Sequence, residues 1–210
     1  LGGPRPQMAR GALTDLLENG ATLLPALERQ EAEDGQGAQG EYVLVGAGYA
    51  VLRDGALRGY LGEEAAFGAD LLRSLGKGQV VELPAPDLGA TALKLTGVKT
   101  TFRTVFRGET LAGLRIACDL ETQAAERSDG VPGLGEEDRR TLEAALAQRA
   151  TAAIAAAMAG FQELDADAIH LLDRVALAVP WKQAVLEEQW REVFSRLEVS
   201  IQVEATVARD

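Results

Sequence analysis

The run LEVSIQVEATV, residues 197–207, constrains the fold more than any other stretch of the chain. Leu197, Val199, Ile201, Val203, Ala205 and Val207 alternate without a break with Glu198, Ser200, Gln202, Glu204 and Thr206. Successive side chains of a strand point to opposite faces, so this pattern demands a strand with one face on a core and the other in water. Such a strand needs neighbours to pair with and a layer to cover its apolar side.

The rest of the chain supplies both. YVLVGAGYAVL (42–52) and ALRGYL (56–61) flank Asp54-Gly55, a dipeptide suited to a type I′ turn because both central residues need positive φ. Residues 63–75 have a helical spacing through Phe67, Leu71, Leu72 and Leu75, with Gly76 and Gly78 as a stop. Three extended segments follow: QVVELPA, TALKLTGVKTTFRTVF and ETLAGLRIACDLETQ. In the last, Leu114, Ile116, Cys118 and Leu120 share the inward face.

Ser128-Asp129-Gly130, Pro132 and Gly133 then break the chain before a long Ala-rich helix over 136–164, with Leu142, Leu146, Ile154, Met158 and Phe161 on one face. Shorter helices are expected over 167–177 and 181–196. Strands, then helices, then a closing strand predict an α+β fold, with a mostly antiparallel or mixed sheet and the helices packed on one face. The arrangement expected places the 197–207 strand in the same sheet as the 42–61 hairpin, under the 136–164 helix.

The N-terminal part is organised differently. Residues 8–27 hold a short helical pattern interrupted by Asn19-Gly20 and stopped by Pro25, and ERQEAEDGQGAQGE (28–41) is acidic, Gly-rich and poor in apolar groups. It reads as a linker. The expected division is therefore 1–40 as the tail of a preceding domain plus linker, and 41–210 as the α+β domain. The opening LGGPRPQMARG has arginines but no apolar core, so it reads as the start of a fragment of a longer protein and not as a signal peptide.

Charge and scarcity of special residues exclude several functions. The net charge of −11 disfavours a nucleic-acid partner and unaided adsorption to anionic lipid. One Cys and one His rule out a disulfide framework and a His/Cys-rich metal centre. Gly35-Gln36-Gly37-Ala38-Gln39-Gly40 fits the dinucleotide fingerprint by letter, but a strand follows it where the fingerprint needs a helix. His170 and the serines carry no triad signature. Asp165 and Asp167 could pair as acid and base, although Asp167 at a helix start reads first as a cap. Neither a cofactor nor a metal is expected.

Three stretches carry a resemblance. GAGYAVLRDGALRGYLGEEAAFGADLLRSLGKG brings Gly59-Tyr60-Leu61 and Gly68; FQELDADAIHLLD brings Asp167; EEQWREVFSRLEVSIQVEATVAR brings Trp190 and Phe194. Together, from about residue 43 onward, they resemble the C-terminal domain of the Ger(x)C family, the C subunits of bacterial spore germinant receptors. The segment LLENGATLLPAL is similar to the tail of that family's preceding domain. The spacing of Trp181 from Trp190 is wider than the family's paired tryptophans, and Ala208-Arg209-Asp210 lacks its basic-Thr-Gly ending.

The resemblance implies a non-catalytic, lipid-anchored subunit on the outer face of the spore inner membrane, assembled with membrane-embedded A and B subunits. It makes Gly59, Tyr60, Leu61, Gly68, Asp167, Trp190 and Phe194 structural or interface positions, with Trp190 expected as a core anchor. It also implies a lipid anchor upstream of these residues. Two other functions stand beside it: a hydrolase using Asp165 and Asp167, and a passive extracytoplasmic scaffold.

Overall fold

A computed structural model describes residues 9–31, 42–85, 89–127 and 134–208. The elements run α1 (Ala9–Asn19), β1 (Ala21–Glu31), β2 (Tyr42–Arg53), β3 (Ala56–Leu61), α2 (Glu63–Leu72), β4 (Val80–Ala85), β5 (Gly89–Arg107), β6 (Thr110–Arg127), α3 (Glu136–Glu163), α4 (Leu171–Ala178), α5 (Gln183–Val193) and β7 (Glu198–Val207). Short 3-10 turns bracket α5.

The class is α+β, as the patterning requires, but the strands form two sheets. One has the order β1-β2-β3 and the other β4-β5-β6-β7. The expectation that the closing strand joins the 42–61 hairpin is therefore corrected. β7 runs parallel to β6, with Leu114 beside Val199 and Ile116 beside Ile201. The strand that joins the hairpin is instead β1, antiparallel to β2, with Leu23 opposite Val51 and Leu24 opposite Ala50.

The helical reading of 8–27 is corrected for the same reason. Gly20 takes φ +73 and ends α1, after which Ala21, Thr22 and Leu23 are buried as a strand. Residues 28–31, read as linker, continue β1 against Tyr42–Val45. The G-x-G-x-x-G letters at 35–40 and the 128–133 break lie outside the described residues.

Other local readings hold. Asp54 and Gly55 have φ of 51 and 75, so the β2–β3 turn takes the left-handed geometry its dipeptide favours. Cys118 is buried on the inner row of β6, and burial pushes its thiol pKa up against a smaller opposing pull from Thr100, which makes it a packing group and not a nucleophile.

α3 is long and apolar enough to match a membrane span by composition, yet Leu142, Leu146, Ile154, Met158 and Phe161 are buried as core. Its approach to α2 is set by Gly68. A β-carbon there would stand under 3.0 Å from the Ala153 carbonyl and 2.8 Å from the Ile154 nitrogen. α3 also lies along β7, so both sheets are joined to one helical layer.

Beneath that layer sits a polar cluster with no signal in the sequence pattern. Asp70 is buried in α2, where Tyr49 Oη donates to it at 2.7 Å and Gln79 Nε2 at 2.6 Å. The two bonds tie β2, α2 and the segment before β4 at one point, and they satisfy a carboxylate that burial would otherwise penalise.

Candidate functional site

Two of the three motif stretches meet at the end of α3. After Glu163 the chain turns through Asp165 (φ 47) and His170 (φ 56), both in the left-handed region. That turn delivers Asp167 beneath the start of α4. Its carboxylate accepts from Leu171 N at 2.8 Å and Leu172 N at 2.9 Å, and from Trp190 Nε1 on α5 at 3.1 Å. Asp167 thus caps α4 from upstream and holds α5 against it. His170, expected on a helix, instead occupies the residue before α4.

His170 looks the other way. Its Nε2 lies 3.3 Å from Ala21 O and its Nδ1 3.2 Å from Asn19 Nδ2, with Asp15 at 4.0 Å. The imidazole therefore fastens α1 and β1 to the helical layer. Asp165 is bound by Arg53, which also pairs with Asp54 at 3.4 Å. Arg53 was not singled out in the sequence, because a lone arginine before a turn carries no pattern.

Between these groups lies a cleft of about 350 Å³, lined by Arg53, Asp165, Asp167, His170, Trp190 and Arg191 among others. Both candidate carboxylates are engaged: Asp165 by a guanidinium, Asp167 by three N–H donors. An acid–base pair needs one carboxyl free to exchange a proton with substrate, and here Asp165 is committed to Arg53 and Asp167 to the N–H groups of α4 and Trp190. Among the described residues no group of three His, Cys, Asp or Glu side chains is placed to hold a metal.

Burial pushes the Asp167 pKa up, and it outweighs the opposing pull of the Leu171 and Leu172 N–H groups, His170 and Trp190. A carboxyl whose folded pKa is raised binds more protons folded than unfolded. Its ionisation therefore costs stability as pH rises through the window between the unfolded value, about 3.9, and the raised folded value. Asp167→Asn removes that cost while leaving an acceptor for one backbone N–H. Thermal melts from pH 3.5 to 7 are expected to show wild type losing stability relative to Asp167→Asn as pH rises through that window. Parallel curves would show that Asp167 does not titrate differently in the folded state.

The motif positions Gly59 and Leu61 on β3 and Gly68 on α2 also pack against the α3 region. Gly59 packs its Cα against the Leu164 side chain, Leu61 is buried beside Gly160, and Gly68 touches the α3 backbone. Phe194 is buried with its ring centroid 5.4 Å from that of Trp190. Tyr60 alone among them points outward, 66% exposed. All but Tyr60 thus gather around the C-terminal half of α3.

A family model described as spore germination B3/GerAC like, C-terminal, matches residues 47–210. The chain belongs to that family. Residues of the three stretches that carry the resemblance come together around the C-terminal half of α3. Among solved structures, this GerAC-like chain is similar to the crystal structure of the GerBC protein, with a TM-score of 0.73 and 14% identity. The alignment covers 100% of this chain and 65% of GerBC, so the chain spans about two thirds of that protein's length. At that identity the likeness speaks for the fold. No curated protein matches the chain.

Proposed function

We propose that this chain is the C-terminal part of a germinant-receptor C subunit and that it acts by binding and assembly, without catalysis. Its family supports a place in spore germination. In this reading the full protein is a lipoprotein on the outer face of the spore inner membrane, held by an upstream lipid and by contacts to membrane-embedded A and B subunits. Residues 1–40 are the tail of a preceding domain that lends β1 to the sheet of the 41–210 unit. Gly59, Leu61, Gly68, Asp167, Trp190 and Phe194 hold the fold, and Tyr60 faces a partner.

The observation that carries the assembly reading is where the exposed apolar side chains fall. Most of them, Leu13 and Leu17 on α1, Leu27 on β1, Leu44 on β2, and Leu57 and Tyr60 on β3, lie at the three-stranded end of the molecule, whereas Val80, Leu177 and Trp181 are exposed elsewhere. Large apolar groups concentrated in this way mark a surface meant to be covered. Tyr60→Asp combined with Leu44→Asp is expected to weaken co-purification with the membrane subunits at least about tenfold, since burying each side chain is worth about 1.5–3 kcal/mol. The melting temperature should hold, because neither side chain contributes to the core. Undiminished co-purification of the doubly substituted chain would remove this surface from the reading.

A further inference from the structure

From the free edge of the four-stranded sheet we infer that this chain pairs with a second copy of itself, β7 against β7 across a two-fold axis at Gln202. The inference is independent of the receptor reading above.

β7 is the end strand of its sheet, and over Glu198–Val207 its pairing with β6 shows no register shift. In a parallel ladder a residue directs its N–H and C=O to one neighbour and the next residue directs both the other way. Ala208 N donates to Thr122 O of β6 at 2.7 Å, so the even-numbered residues address β6. Val207 N points the opposite way and is met by Glu143 Oε1 at 2.9 Å. The backbone groups of Val199, Ile201, Val203 and Ala205 therefore face outward, and among the described residues no strand pairs with them. Their side chains are only half-buried. Nor does this edge carry the Pro, Lys or bulge by which natural sheets blunt an open strand.

Charge separates this register from its neighbour centred on Ile201. With antiparallel copies centred on Gln202, the amide of Gln202 meets its own counterpart, Ser200 meets Glu204, and Glu198 meets Thr206. Every carboxylate then faces a hydroxyl. On the inner face Ile201 meets Val203 and Val199 meets Ala205, which covers the half-exposed apolar row. Centring on Ile201 instead would set Glu198 opposite Glu204 twice, and like charges directly opposite are destabilising.

The helix above the strand agrees. Gln162 Nε2 donates to Leu197 O at 2.9 Å and Glu143 reaches Val207, so α3 runs antiparallel along β7 with its middle level with Gln202. There α3 exposes Ala144, Gln148, Ala152, Ala155 and Ala159. A two-fold axis at Gln202 would bring two such faces together, and small residues allow helices to approach at the near end of the usual 8–10 Å spacing.

The test follows from the register. In a non-hydrogen-bonded antiparallel pair the Cα atoms lie about 4.5 Å apart, within disulfide range. Gln202→Cys is therefore expected to give a covalent dimer on mild oxidation, at least tenfold faster than Ser200→Cys, whose copies would lie about four residues apart along the strand. Light scattering on the unsubstituted chain should show a mass rising above 22.2 kDa toward twice that value with concentration, more readily at higher salt because each copy carries −11. Ser200→Glu, which sets like charges opposite each other, should return the mass to 22.2 kDa without lowering the melting temperature. A mass of 22.2 kDa throughout the submillimolar range would overturn the inference. Equal cross-linking of the two cysteine variants would overturn it too.

Discussion

Gly68→Ala is expected to destabilise the protein by more than about 3 kcal/mol, lowering its melting temperature by about 6–12 °C. The added methyl would meet the Ala153 carbonyl and the Ile154 nitrogen, which belong to the backbone of α3. A flexible side chain could turn aside, whereas a helix backbone cannot move without dragging its packed face. Relief would require α2 and α3 to part. That would open the core at Ala69, Leu71 and Leu72, and would strain the bonds that Tyr49 and Gln79 make to Asp70. The matched control is Gly62→Ala, where φ is −67 and nothing lies within 4 Å of the new carbon. Gly62 is the N-cap of α2, where Gly is preferred over Ala, so that change should cost about 0.5–1 kcal/mol. Equal melting temperatures for the two variants would mean that the α2–α3 approach is not close.

Trp190→Ala should cost about 3–5 kcal/mol, the range for removing a large buried aromatic. Trp190 is 6% exposed, packs on Phe194 and donates to Asp167, so the substitution opens a cavity and also deprives a half-buried carboxylate of a donor. Trp190→Phe separates the two effects: it keeps most of the packing and loses the hydrogen bond, for an expected cost of about 1.5–3 kcal/mol. Chemical denaturation of both variants gives the comparison. Should Trp190→Ala melt like wild type while losing receptor assembly, the indole would be an interface anchor and not a core one.

Where sequence reading succeeded, it did so on features that a segment settles for itself. The β7 alternation needs only a water face and an apolar face. Asp54-Gly55 turns because its two residues tolerate positive φ. The α3 pattern follows from side-chain spacing on a helix, and the inward Cys118 from its place among Leu114, Ile116 and Leu120. The family motifs were legible for a related reason, since each lies within one short stretch.

Reading failed where an outcome depended on a partner distant in sequence. Leu23 and Leu24 suit a helix or a strand equally, and it was the open edge of β2 that made them β1. Asp70 looks like a stray polar residue on an apolar helix until Tyr49 and Gln79 are brought to it. His170 gave no sign that it would leave the helix to reach Asn19 and Ala21. Trp190 and Asp167 lie in separate motifs, and only the packing of α5 on α4 joins them through a hydrogen bond.

The sequence by itself determined the α+β class, the faces of β6, β7 and α3, the family, and the poverty of catalytic side chains, because composition and periodicity are properties of the chain in any conformation. Tertiary structure alone decided that the strands divide into two sheets, that β7 lies parallel to β6 with its outer edge unpaired among the described residues, and that Asp167 serves α4 and α5 at once. Period-two patterning fixes which way a side chain points, but the same pattern fits any neighbouring strand in either direction. The choice among neighbours rests on which pairing lets one helical layer, α2 with α3, cover both sheets.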